Sequence, residues 1–69
     1  MPLDPNSQRY DDAYQSLIAT PNPETARTAR KRCWDACVFG EVAEEQEPGS
    51  TIKPASWWRA ERRRFEDAV

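Results

Sequence analysis

Three stretches of the chain carry apolar residues at helical spacing, separated by connections that contain Pro or Gly. In the first, Tyr10, Ala13, Tyr14, Leu17 and Ile18 recur at i, i+3, i+4, i+7 and i+8, with Asp11, Asp12, Gln15 and Ser16 on the other side. This pattern predicts an amphipathic helix over residues 7–19, capped by Ser7 or Asn6. The second stretch opens with Asn22 as N-cap, Pro23 in the first turn and Glu24 facing the positive end of the helix dipole. It predicts a helix over 23–39 with Gly40 on the C-cap side. Its apolar face, Ala26, Ala29, Cys33, Ala36 and Cys37, is made of small residues that let another helix approach closely. In the third, Trp57, Trp58, Phe65 and Ala68 share one arc of a helix predicted over 55–67, started by Pro54 or Ser56. Glu61 falls inside that arc, and a carboxylate amid an aromatic stripe is the oddest local feature of the chain.

Residues 40–53 are ambiguous: Glu41 to Glu47 are helix-friendly, and the expectation is an acidic loop with at most one helical turn. Pro48 and Gly49 suit the central positions of a type II turn. A hairpin around Val42 and Ile52 is the competing reading, but too few apolar residues flank the turn to support it. The expected architecture is therefore an all-α, small three-helix domain spanning 1–69, with helices near 7–19, 23–39 and 55–67. The short link Thr20–Asn22 should pack the first two helices antiparallel.

Composition makes this fold under-cored. Two Leu, two Ile, three Val and two Phe are its aliphatic and Phe inventory, and nine residues are Ala. Three Trp and two Tyr supply much of the remaining bulk. A chain of 69 residues buries only about 60% of its unfolded surface, so a larger protein partner or a second copy is expected to add stability. No stretch approaches the ~18 apolar residues of a membrane span. Met1 to Asn6 lack the basic and apolar regions of a signal peptide, so a cytoplasmic location with free thiols is expected.

Charge and chemistry narrow the function. The net charge is −2, and the chain has no His and only two Gly. That removes the commonest general base and any Gly-rich phosphate loop, and the expectation is a protein that is not an enzyme. Cys33 and Cys37, four apart on one helix face, could offer half of a shared metal site. Zinc needs four ligands, and two buried core thiols are the simpler reading, so neither metal nor cofactor is expected. The basic residues come in blocks interleaved with acids, which lowers the prospect of nucleic-acid binding.

The expected function is that of an accessory, inhibitor or assembly protein, of the kind a phage or other compact genome encodes. The candidate interface residues are Trp57, Trp58, Arg59, Glu61, Arg62 and Phe65 of the third helix. Arg27, Arg30, Lys31 and Trp34 of the second helix join them as a basic ridge. Trp and Arg are the types most enriched at binding hot spots. Trp57 and Trp58 diverge by about 100°, so one is expected to face the core and the other a partner. Glu61 is expected to stay wet at the edge of the arc. The alternative is a small nucleic-acid-binding regulator using the basic faces of helices two and three. Residues 38–65, a turn followed by an aromatic and basic helix, resemble the wing and last helix of small winged-helix proteins such as phage excisionases. The chain departs from that family before the wing, where residues 23–39 read as one helix instead of two short ones.

Overall fold

A computed structural model describes residues 3–69. It is all-α, with α1 at Pro5–Ala19, α2 at Pro23–Gln46, α3 at Ala55–Arg63 and a closing 3-10 turn at Glu66–Ala68. No strand occurs among the described residues, so the hairpin and the wing-like resemblance both fall away. α1 and α2 run antiparallel: Arg9, early in α1, lies over the ring of Phe39, late in α2, at 5.5 Å.

α1 begins two residues earlier than predicted because its cap is Asp4 rather than Asn6 or Ser7. The Asp4 carboxylate accepts from the Ser7 amide at 3.1 Å and from the Ser7 hydroxyl at 2.6 Å. Pro5 occupies the first helical position, where its missing N–H costs nothing.

The larger departure is in α2. The helix does not stop at Gly40 but runs on to Gln46, so half of the expected acidic loop is helical. The run Glu41–Gln46 consists largely of good helix formers, which carries the helix through the glycine. Gly40 is buried, and a Cβ there would overlap the indole of Trp58. It is a contact residue rather than a cap. The turn forms at the predicted residues, with Pro48 and Gly49 at its centre: the Ser50 amide donates to the Glu47 carbonyl at 2.9 Å, and Gly49 takes a φ of +90°.

α3 ends at Arg63, four residues short of the prediction. The Arg64 and Phe65 amides bond back three residues, to Glu61 and Arg62, each at 3.0 Å. This tightening turns the end of the chain, where Phe65 and Ala68 are buried.

The core lies where the three helices meet. Cys33, Ala36 and Cys37 are fully enclosed, as expected for core thiols, and Trp58 and Phe65 are 1% exposed. Tyr10 is the centre of the aromatic packing. Its ring stacks on Tyr14 at 6.0 Å and meets Trp57, Trp58 and Phe65 edge-on at 5.5, 5.8 and 6.3 Å. Such pairs add roughly 0.5–1.5 kcal/mol each beyond the area they bury.

The acidic run of α2 is tied into the fold. Glu41, itself buried, accepts from Arg59 at 2.7 Å and from Arg62 at 2.9 Å. Glu44 closes the turn by accepting from the Gly49 and Thr51 amides at 2.8 and 3.0 Å. Glu41→Ala is expected to lower stability by about 1–3 kcal/mol, because it leaves Arg62 without its carboxylate and Arg59 with only a longer contact to Glu45. Glu45 makes a longer, exposed contact to Arg59 at 3.4 Å, and Glu45→Ala should stay within about 0.5 kcal/mol. Urea midpoints of the two variants check this contrast; equal losses would mean that Glu41 is no more than a surface charge.

Candidate functional site

The adjacent indoles at the start of α3 part ways as their spacing requires. Trp58 turns inward, and its Nε1–H donates to the Thr51 hydroxyl at 2.9 Å. The Thr51 hydroxyl in turn donates to the Lys53 carbonyl at 2.6 Å, so this buried polar chain is satisfied. Trp57 is only half-buried, with its ring edge-on to Trp58 at 5.0 Å.

Trp57 forms one wall of a small cleft of about 220 Å³ between the start of α1 and the start of α3. Leu3, Tyr10, Ile52 and Trp58 supply the remaining apolar walls. Leu3 and Ile52 are 40% and 59% exposed, so this apolar surface is open to solvent. Ser7, Asp11 and Lys53 supply the polar edge, and the Lys53 ammonium lies 5.3 Å from the centre of the Trp57 ring. Ile52 is held in place by its amide, which donates to the Asp4 carboxylate at 3.1 Å. The cap of α1 thus also fixes a wall of the cleft.

The floor of the cleft is chemically quiet. The Tyr10 hydroxyl donates to Glu61 at 2.6 Å, and Arg64 donates to the same carboxylate oxygen at 2.7 Å. Burial first, and then this bond to a carboxylate, push the Tyr10 phenol well above its ordinary range. Glu61 is therefore not the wet residue expected from the sequence. Its side chain is 17% exposed and is held by a phenol and a guanidinium. An arc carrying that carboxylate can be buried because partners arrive from α1 and from the end of its own helix.

The remaining sequence-derived candidates divide. Trp58 and Phe65 point into the core. Arg59 and Arg62 are engaged by Glu41. Arg30 donates to Asp67 at 2.6 Å and to the Arg64 carbonyl at 2.8 Å, and its guanidinium lies over the Phe65 ring. Lys31 lies 3.6 Å from Asp35, one turn along the same helix. Trp34 is half-buried, and its Nε1 is enclosed without a hydrogen-bond partner among the described residues. Arg27 is exposed. None of these α2 residues lines the cleft, so the basic ridge and Trp57 belong to different surfaces. Leu3, Tyr10, Asp11, Ile52 and Lys53 were absent from the sequence-derived set. Leu3 and Ile52 stand as single apolar residues in Pro-bearing segments, which is a weak signal until the fold brings them together.

A second depression, broader and shallower, runs along the α1/α2 hairpin past Arg9, Asp12, Arg32, Asp35 and Phe39. It holds one large aromatic ring, Phe39, against Tyr10, Trp57 and Trp58 in the smaller cleft, so the Trp57 cleft is the better-defined candidate.

Among the described residues, no group of three or more His, Cys, Asp or Glu is placed to hold a metal ion. No helix among them is long and apolar enough to cross a membrane. The chain matches no protein-family model, no curated protein and no solved structure.

Proposed function

We propose that this chain is a small non-enzymatic protein-binding accessory, inhibitor or assembly protein that docks a larger protein through the Trp57 cleft. The observation that carries the reading is a half-buried indole set between two exposed aliphatic residues, with polar groups at the rim. Anchors of this kind dominate protein interfaces, because a rigid aromatic wall presents much apolar area at low entropic cost. The groups that could do covalent chemistry support a non-catalytic role. Both thiols are fully enclosed, and burial pushes the Cys37 thiol up to about 12.

Nucleic-acid binding is disfavoured by the pairing of the arginines. Arg30, Arg59, Arg62 and Arg64 all face carboxylates of the chain itself, so their charge is partly spent within the fold. Phosphate binding through them would make affinity fall steeply with salt.

Affinity capture with the full chain as bait, from nuclease-treated lysate, tests the reading. Trp57→Ala should weaken the captured complex by at least ~2 kcal/mol, or about thirtyfold, at a temperature where the variant keeps its helical circular dichroism spectrum, because loss of the ring pairs with Tyr10 and Trp58 also lowers its melting temperature. A double Arg27→Ala, Lys31→Ala chain should bind as the parent does. Capture that survives Trp57→Ala but fails in the α2 double variant would move the interface to the basic ridge.

A further inference from the structure

The charges around the Trp57 cleft are lopsided, and that asymmetry describes what would enter it. Asp11 lines the cleft, is exposed, and has no ion pair among the described residues. Asp4 sits at the backbone of Ile52, and Glu44 at the backbone of the adjoining Thr51. Among the described residues, Asp11 in the cleft and Asp4 and Glu44 on the segment that walls it stand against the ammonium of Lys53, a balance of −2. Lys53 lies over the Trp57 ring, where the aromatic face already draws on its charge.

Asp4 and Glu44 stay ionised. Burial works to raise Asp4, but the hydrogen bonds from Ser7 and Ile52 outweigh it and leave Asp4 below the usual range. The Gly49 and Thr51 amides do the same for Glu44. The volume sets the other half of the description. An apolar cavity of about 150 Å³ accommodates a benzene ring. A cleft of about 220 Å³ therefore has room for one large apolar side chain rather than for a row of them.

We infer that the Trp57 cleft receives a single large apolar side chain, of the size of Leu, Met or Phe, from a protein segment whose flanking residues are Lys or Arg. This rests on the docking reading given above and names the chemistry of the partner. Basic flanks meet the uncompensated Asp11, and the negative surround of Asp4 and Glu44 draws them in from a distance. The same field repels nucleic-acid backbones, anionic lipid surfaces and acidic peptides.

A phage library of random dodecapeptides, panned on the full chain and counter-selected on the Trp57→Ala chain, tests this. Trp57-dependent clones should carry one Leu, Met or Phe with Lys or Arg enriched at least threefold within three positions of it. The corresponding synthetic peptides should bind the Asp11→Lys chain at least tenfold more weakly, with the helical circular dichroism spectrum of that chain unchanged. Trp57-dependent clones with neutral or acidic flanks would overturn the charge inference and leave docking at Trp57 standing. Clones that ignore Trp57, or a selection that yields none, would overturn the inference, and the docking reading would then rest on the capture experiment alone. A Trp57-dependent dimer in sedimentation that excludes every peptide would assign the cleft to a second copy and overturn it as well.

Discussion

Gly40→Ala should destabilise the protein by about 2–3 kcal/mol, although Ala is the better helix former by ~1 kcal/mol. Gly40 lies well inside α2, with six helical residues after it, so helix propensity alone predicts a gain. Packing predicts the opposite, because the added methyl would occupy the space of the Trp58 indole. That indole is 1% exposed and is fixed by its hydrogen bond to Thr51, so it cannot swing aside without breaking the bond. A chain of this length holds only about 3–10 kcal/mol of stability in total, so the loss would be a large share. Thermal or urea unfolding gives the sign directly. A stabilised Gly40→Ala chain would show that the added methyl clears the Trp58 indole.

The second large effect should appear at alkaline pH. Cys33 and Cys37 are fully enclosed, and burial raises both thiols, Cys37 to about 12. In the unfolded chain each titrates near about 8.5. Above that pH the unfolded chain releases protons that the folded chain retains, so the unfolded state binds fewer protons and stability falls as pH rises. The slope approaches roughly 1.4 kcal/mol per pH unit for each thiol and levels off only as the folded value is passed. Tyr10, also raised, adds to the loss above its own unfolded value of about 10. The protein should therefore unfold between about pH 9 and 12. A Cys33→Ala, Cys37→Ala chain should lose about 1 kcal/mol per site at neutral pH and show a flatter alkaline limb. Urea midpoints at successive pH values check this, and an unchanged limb in the double variant would assign the titration to Tyr10.

How much of this was legible in the sequence differs by element. The face Tyr10, Tyr14, Leu17 and the small-residue face of α2 specify an antiparallel pair by periodicity and link length, and the pair forms. The length of α2 was not legible. Gly40 has two readings, a cap or a close contact, and only the position of Trp58 decides between them. The fate of Glu61 turned on Tyr10, which is 51 residues away in sequence. A satisfied carboxylate and a wet one look alike until such a partner is placed. The same holds for the cleft. Trp57 was visible as an anchor by residue type, but Leu3 and Ile52 become its neighbours only through the fold.

Asp4 has a consequence for motion. One carboxylate caps the first turn of α1 through Ser7 and receives the Ile52 amide from the far side of the chain. The start of α1 and the segment before α3 therefore share a single fastening. Fraying of the helix removes the acceptor of Ile52, and displacement of Ile52 removes a bond that positions the cap. The two segments are expected to open together, with matched hydrogen-exchange protection at the Ser7 and Ile52 amides, although 48 residues separate Asp4 from Ile52 along the chain. A ligand seated between Leu3 and Ile52 would bridge the two halves of that unit and would spend part of its binding energy on suppressing their joint opening.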